Sequence, residues 1–282
     1  MKIPTYWVTA KRKGCDNNTW KLRGISYSSM EEARARLEKR WQIRDAFAHR
    51  RAASESDIMA HRAQLRSLDE LENEDYSALL LEPVLNQIDS CNVITRNRYG
   101  VLVLNSTTLC FIDVDDFPLS FADSLRGLFG KKVTPEEKLL RRMRELCSED
   151  LTLGARVYRT HKGWRIMLVG DNLEPDSLKM HQLCRILHAD PLYEALCTRQ
   201  QCWRARLTPK PYRVGVSRYP RPEDSESVYT PESLAWVQGY ELACQGKAVC
   251  RLVDCMGRKI ESSMVLLHDE LTQACIPDLV LS

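Results

Sequence analysis

The sequence lacks the features that would place the chain in or across a membrane. None of its apolar runs approaches the length that spans a bilayer, and the opening MKIPTYWVTAKRKG has no apolar stretch of signal-peptide length. Low-complexity tracts are missing too. These observations predict a globular, cytoplasmic protein with no membrane partner.

Short motifs of several enzyme classes are also missing, among them the Walker phosphate loop, H-E-x-x-H and G-x-S-x-G. The 11 cysteines are odd in number and irregularly spaced. Their nearest groupings, Cys197/Cys202 and Cys244/Cys250/Cys255, leave four or five residues between neighbours instead of the two of C-x-x-C. We therefore expect no zinc and no disulfide framework, and predict that most cysteines are reduced core residues.

Charge is close to balanced over the whole chain and uneven within it. The 282 residues carry a formal net charge of +3, which by itself implies no partner. Residues 156–221, however, hold 13 Lys and Arg against 5 Asp and Glu. Such an excess attracts polyanions, although a solvated charged face is the more common explanation.

The N-terminal segment, residues 1–91, is predicted to be mainly helical. Ser28 and Ser29 stand three residues before Glu31 and Glu32, a capping pattern that opens a charged helical stretch. Residues 52–76 are polar and acidic and fit either more helix or a linker. The mixed charge of this segment favours a structural role over a grip on nucleic acid.

The middle segment, residues 92–221, contains the clearest elements. Residues 92–95 and 101–104 flank a turn and predict a β-hairpin, and residues 109–113 predict a buried strand. A helix then opens at Thr134, where Pro135 and Glu137 complete a capping box. Residues 155–160 and 164–169 predict two strands joined by a tight turn that ends in Gly163.

Two further helices, near 175–187 and 192–200, precede a last strand at 203–207. The order strand, helix, strand, strand, helix, strand predicts an α+β protein with a ferredoxin-like or RRM-like βαββαβ core. In that fold the helices cover one face of an antiparallel sheet and leave the other face open. Residues 222–282 are predicted to add a small α/β extension, with a helix from Thr230, a strand at 248–254 and an ambiguous last segment.

Alternation along the strands places charged residues together on the open face. Asp113 and Asp115 alternate with apolar residues of the first strand, and Arg165 does so in the third. Arg204 and Arg206 alternate with apolar residues of the last strand. Because the first strand of this fold lies between the third and the last, we expect a carboxylate pair flanked by arginines.

Such a group suits the binding of nucleotide phosphates with a metal. Carboxylates at i and i+2 can share Mg²⁺ or Mn²⁺, and arginines can fork onto phosphate oxygens. Lys162 at the hairpin tip, with Lys210 and Arg213 after the last strand, would add positive charge. The alternative is structural, with the aspartates capping loops and the arginines pairing with them.

The segments CFIDVDD, RTHKGWRIMLV and RARLTPKPYR together resemble the three-part palm of archaeo-eukaryotic primase-like enzymes, a superfamily that includes primase-polymerases. The resemblance covers about residues 92–221. It implies that Asp113 and Asp115 bind the divalent metal as catalytic residues. Arg165 stands where the family has a histidine, and no Asp or Glu occurs from Arg199 through Pro222 to supply its third carboxylate. The segments also resemble a group of bacterial proteins of uncharacterised function.

The first hypothesis is therefore a primase-like nucleotidyltransferase or a diverged relative that acts on nucleotides and DNA or RNA. Arg165, Arg204, Arg206 and Lys162 would hold the triphosphate. Lys210 and Arg213 would guide the phosphates of nucleic acid. The second hypothesis is a non-catalytic nucleic-acid-binding module, for which Tyr158 is the one good stacking residue on the inner strands. The third is a structural or partner-binding protein of the same fold.

Overall fold

The computed structural model describes residues 1, 3–13, 19–48, 56, 59–60, 63, 80–115, 117–118, 133–220, 222–260 and 262–282. The chain divides into two compact units. One comprises Lys2–Val84 and Tyr219–Val237, and the other comprises Met1, Leu85–Arg218 and Gln238–Ser282. The residues expected to carry the chemistry all lie in the second unit.

The first unit begins with a β-hairpin, which the prediction of a mainly helical segment over residues 1–91 did not include. Strands β1 (Tyr6–Lys13) and β2 (Thr19–Ser26) pair antiparallel, and helix α1 (Met30–Ala48) follows. The helix opens where the capping pattern predicts it, since Ser29 Oγ accepts a hydrogen bond of 3.1 Å from the Glu32 backbone N–H. The predicted continuation through 52–76 lies largely outside the described residues. The hairpin was missed because the charged residues of β1 hide its alternation.

The main part of the second unit starts within β3, whose first residue, Val84, is assigned to the first unit. Its strands are β3 (Val84–Gln87), β4 (Asn92–Arg96), β5 (Leu102–Ser106), β6 (Cys110–Val114), β7 (Gly154–Thr160), β8 (Trp164–Val169), β9 (Trp203–Arg206), β10 (Lys247–Ala248), β11 (Cys250–Gly257) and β12 (Val280–Leu281). Its helices are α2 (Pro135–Glu149), α3 (Leu178–Ile186), α4 (Pro191–Gln200) and α6 (Ser263–Thr272). Helix α5 (Pro231–Cys244) begins in the first unit and ends in the second. The prediction of an α+β protein with antiparallel sheets is confirmed.

The strands form two four-stranded sheets, ordered β11-β7-β8-β6 and β3-β4-β5-β9, and β10 pairs with β12. Strand β9 therefore pairs with β5 and not with β6, which differs from the expected position of the last strand of the core. The two sheets still adjoin at β6 and β9. The Tyr193 hydroxyl links them, because it lies 3.1 Å from the Phe111 carbonyl of β6 and 2.9 Å from the Arg204 carbonyl of β9.

The C-terminal segment adds to the core, and it covers a surface that we expected to be open. Strand β11 pairs with β7 and extends the sheet. The His268 ring of α6 lies 5.5 Å from the Phe111 ring and 5.1 Å from the Tyr158 ring, centroid to centroid. Phe111 shares a strand face with Asp113, so α6 covers the middle of that face. The end of that face at Asp113 stays accessible, since the Asp113 side chain is 39% exposed.

The core helices follow their predicted pattern. Thr134 caps α2, accepting a hydrogen bond from the Glu137 backbone N–H while the Glu137 carboxylate accepts one from the Thr134 N–H. The apolar stripes of α2 and α3 are buried as their 3.6-residue periodicity predicts. All ten described cysteines are free thiols, and six are buried. In the described part of the chain, no helix combines the length and apolar character needed to cross a membrane.

Candidate functional site

A polar cleft of about 330 Å³ lies in the second unit, at the end of the β6–β8 ladder. It brings together seven of the eight residues that the sequence singles out. Its walls are formed by Asp113, Asp115, Thr160, Lys162, Trp164, Arg165, Asp190, Tyr193, Arg206, Lys210, Tyr212 and Arg213. Basic side chains outnumber carboxylates in this set, which makes the cleft suited to anions.

The two aspartates lie where β6 ends, and strand alternation explains their direction. Ile112 and Val114 are buried in the core, while the Asp113 side chain is 39% exposed and Asp115 is exposed. Both carboxylates line the cleft. The two acidic residues, expected to share an open sheet face, therefore border one accessible cleft, with Asp115 just beyond the end of β6.

Arg165 occupies the cleft floor and is engaged by the protein itself. Its side chain is 2% exposed; its Nε donates to Asp113 Oδ1 at 3.0 Å, and its Nη1 donates to the Arg206 carbonyl oxygen at 2.8 Å. Burial acts to lower the pKa of Arg165, but the Asp113 carboxylate outweighs it and raises that pKa above its ordinary value. Arg165 thus orients Asp113 and ties β8 to β9.

The segment from β9 to the following turn contributes a positively charged part of the cleft lining, called here the basic wall. Arg206 ends β9, Lys210 follows it, and Arg213 closes a 3₁₀ turn at Pro211–Arg213. Burial and the charge of Arg165 lower the pKa of Arg206 to about 10. Its Nε is buried and has no hydrogen-bond partner among the described residues. A buried Nε–H left without an acceptor costs free energy unless a ligand supplies one.

The Tyr212 phenol also lies close to the positive charges of the cleft. Burial acts to raise the pKa of its phenol, yet Lys210, Arg213 and Lys162 lower it below its ordinary value. Opposite charges nearby favour the ionised form of a group, so these three side chains create a positive potential around the phenol oxygen. Phosphate oxygens at this position would be stabilised by the same three charges.

Arg204 is the predicted site residue that does not line the cleft. Its Nε donates to Asn105 Oδ1 at 2.9 Å, on the neighbouring strand β5. Asn105 is itself buried, with its amide nitrogen bonded to the Val93 carbonyl and to Thr95. The pairing of β9 with β5 explains this position, since it gives Arg204 a polar partner within its own sheet.

Asp190 is the clearest residue that sequence reasoning missed. It caps α4, accepting from the Leu192 N–H at 2.9 Å, and its own N–H donates to the Asp113 carbonyl at 3.2 Å. The helix start is thereby held against the end of β6, and a third carboxylate reaches the cleft wall. The dipeptide Asp190-Pro191 is a recognisable helix start, but nothing local shows that this helix begins beside Asp113.

Gly163 allows the strands around the site to approach closely. A Cβ atom at this position would lie 2.1 Å from the Val114 carbonyl oxygen and 2.8 Å from Asp115 Cα. Its φ is not positive, so the reason for glycine here is space and not an unusual backbone angle. Gly163 therefore sets how closely Lys162 and the β7–β8 turn approach the aspartates.

The donor set of the cleft suits a cation that also takes ligands from its substrate. Asp113 Oδ1 accepts a hydrogen bond from Arg165, while the Asp115 side chain is exposed. No three His, Cys, Asp or Glu side chains in the described ranges form a group that could hold a metal ion by themselves. Mg²⁺ is often bound by one or two carboxylates together with phosphate oxygens and water, which this arrangement permits.

Base stacking on the inner strands is ruled out for Tyr158. This side chain is fully buried beneath α6, and its hydroxyl donates to Asp269 Oδ1 at 2.7 Å. The stacking residue proposed for a non-catalytic RNA-binding sheet is therefore inaccessible. The accessible chemistry of the unit is instead that of the cleft, which can bind an anion beside two carboxylates. No protein-family model, curated protein or solved structure matches this chain.

Proposed function

We propose that the cleft binds the triphosphate of a nucleotide together with Mg²⁺ or Mn²⁺, and that the protein is a primase-like nucleotidyltransferase or a diverged relative of one. The observation that carries the proposal is the meeting of Asp113 and Asp115 with Arg206, Lys210 and Arg213 in one cleft. These residues come from separate strands and a turn. Paired carboxylates facing a basic wall match the needs of phosphoryl chemistry.

The basic wall would take the phosphates. Arg206 Nε lacks an acceptor within the described part of the protein, and a phosphate oxygen would supply one. Lys210, Arg213 and Lys162 would neutralise the remaining charge of the phosphates, and the same three side chains lower the pKa of the Tyr212 phenol. Arg165 would act as a positioning residue, since its Nε and Nη1 both donate hydrogen bonds within the protein.

The carboxylate wall would hold the cation. Asp113 and Asp115 would bind it from one side, and phosphate oxygens and water would complete its ligands. When bound, the cation would neutralise charge on the transferring phosphoryl group. Asp190, the N-cap of α4, adds a third carboxylate to the cleft. The resemblance to primase-like enzymes leads one to expect a third carboxylate near the last strand instead.

The order of elements supports the same proposal. Strands β6, β7, β8 and β9 with α2 and α3 follow the βαββαβ order of an RRM-like palm. The spatial order of strands β7-β8-β6 is the order expected for that fold. Strand β9 adjoins β6 through the Tyr193 hydroxyl, and Arg165 of β8 donates hydrogen bonds both to Asp113 of β6 and to the Arg206 carbonyl of β9. We therefore propose that these elements form an RRM-like palm in which side-chain hydrogen bonds, and not backbone pairing, join β6 to β9.

Titration calorimetry of the full chain with ATP tests this function. We expect binding with Mn²⁺ present and a large loss of affinity with chelator. Lys210→Ala should weaken the complex about tenfold, because a charge-assisted contact to phosphate is lost. The matched control is Arg185→Ala, an exposed arginine on α3 that does not line the cleft.

Asp115→Asn separates the cation from the phosphates. This variant should abolish the advantage given by Mn²⁺ while retaining the weaker, chelator-insensitive binding of ATP. The proposal is overturned if the wild-type chain binds no ATP with Mn²⁺, or if Lys210→Ala and Arg185→Ala behave alike. Salt-sensitive nucleic-acid binding that chelator leaves unchanged would instead indicate the non-catalytic module.

A further inference from the structure

A second cavity, of about 500 Å³, adjoins the cleft within the same unit. It lies between the β4–β5 turn and the segment after β9. Arg206, Lys210 and Tyr212 line both cavities, so the two spaces share a wall. A ligand with its phosphates in the cleft has this second space directly beside it.

The second cavity differs in character from the cleft. Val101, Pro211 and Val216 give it apolar walls, and the rings of Tyr99 and Tyr212 line it as well. The two tyrosines are 49% and 69% exposed, so a ligand in the cavity can reach their rings. The Arg98 guanidinium lies 4.8 Å from the Tyr99 ring centroid and bonds its hydroxyl, which fixes the ring in place.

Polar groups at the turn are oriented by the backbone. Asn97 Oδ1 accepts hydrogen bonds from the Tyr99 N–H at 2.9 Å and the Val101 N–H at 3.2 Å. This fixes the Asn97 amide, so that its Nδ2 is the group it can offer to a ligand in the cavity. Apolar and aromatic walls with a few oriented polar groups are the usual composition of a site for a flat heterocycle.

Arg206 stands at the junction of the two spaces. Its side chain is half-buried, and its buried Nε lacks a hydrogen-bond partner among the described residues. A ligand that spans both cavities would pass this group and could give it an acceptor. The two cavities can therefore form one elongated site, with a phosphate-binding end in the cleft and an aromatic end in the second cavity.

We propose that the second cavity is the binding site for the base of the nucleotide whose phosphates lie in the cleft. This inference rests on the proposed function and adds that the protein itself recognises the nucleoside. The base would stack on Tyr99 or Tyr212 between the apolar walls, with its edge toward Asn97. Tripolyphosphate, which has no base, would fill only the cleft.

The test compares ATP with inorganic tripolyphosphate, each with Mn²⁺, by titration calorimetry of the full chain. Wild type should bind ATP more tightly. Tyr99→Ala should weaken ATP binding roughly tenfold, the loss typical of one stacked base, and leave tripolyphosphate unchanged. Val216→Phe, which fills the cavity while keeping both tyrosines in the chain, should have the same selective effect. Tyr229→Ala removes an exposed tyrosine that lines neither cavity and should alter neither affinity.

The outcomes distinguish this inference from the function on which it rests. Equal wild-type affinity for ATP and tripolyphosphate, or unchanged ATP binding in both Tyr99→Ala and Val216→Phe, overturns the base site while the phosphate cleft stands. Wild type that binds neither ligand overturns both. If the two variants weaken a single-stranded oligonucleotide but not ATP, the cavity serves a nucleic-acid strand and the inference is wrong.

Discussion

Arg165 and Asp113 stand opposite each other on β8 and β6, and Arg165 Nε donates to Asp113 Oδ1 at 3.0 Å from an almost fully buried side chain. The pair gives Asp113 two roles. Its carboxylate lines the cleft, and it also neutralises a guanidinium enclosed by the core. Asp115, two residues later, lines the same cleft from an exposed position.

Asp113 and Asp115 should therefore differ in their effect on stability. Asp113→Ala leaves the buried Arg165 charge without its partner, and we expect the free energy of unfolding to fall by about 3 kcal/mol. Asp115→Ala should change it by less than about 0.5 kcal/mol, as is usual for exposed positions. Urea unfolding followed by circular dichroism measures both. Equal losses in the two variants would contradict the division of roles.

Arg206 should favour ATP binding while lowering the free energy of unfolding of the protein. Burial and the nearby charge of Arg165 lower the pKa of Arg206 to about 10, so its charged form is disfavoured in the folded state. Arg206→Met should raise the free energy of unfolding by about 1 kcal/mol, because it removes that buried charge. The same variant should weaken ATP binding about tenfold. Lower stability together with unchanged ATP affinity would show that Arg206 is structural.

Gly163→Ala should disturb the site through the backbone. The new Cβ would clash with the Val114 carbonyl and with Asp115 Cα, so β6 and the β7–β8 turn must separate. We expect a loss of more than about 2 kcal/mol in unfolding free energy, together with weaker Mn²⁺-dependent ATP binding. Gly239→Ala is the control, since nothing lies within 4 Å of a Cβ there. A Gly163→Ala protein as stable as wild type would show that the strands can move apart freely.

His268 should make stability depend on pH near neutrality. Burial lowers the pKa of His268 from its ordinary value of 6.5 and outweighs the opposing hydrogen bond to Asp269. Below pH 6.5 the unfolded chain takes up a proton that the folded protein resists, so stability is highest above that pH and falls as the pH decreases. Unfolding free energies at pH 7.5 and 5.5 should show this decline.

His268→Asn should flatten that decline, because the titrating ring is removed while a donor to Asp269 is retained. His161→Asn, at an exposed position, is the control and should leave the slope as in wild type. The buried carboxylate of Asp269 titrates in a different range. Burial acts to raise its pKa, but bonds from His268 and Tyr158 and the charge of Arg156 lower it, so its contribution is lost only below pH 3.8. An unaltered slope in His268→Asn would refute the assignment.

The sequence by itself determined the features that depend on neighbours in the chain. The capping box of Thr134 and Glu137 forms as predicted, because its two hydrogen bonds span three residues. Ile112 and Val114 are buried while Asp113 and Asp115 reach the cleft, because a strand turns successive side chains to opposite faces. These patterns also placed Lys162, Lys210 and Arg213 in segments that meet at the site.

Only the tertiary structure decided which strands are neighbours and what covers them. Alternation gives the face of a residue but not the identity of the next strand, so the pairing of β9 with β5 and the diversion of Arg204 to Asn105 left no local signal. Helix α6 covers Tyr158 from more than a hundred residues away, and Asp190 reaches Asp113 through the packing of α4. Such contacts depend on long-range burial, which no local pattern records.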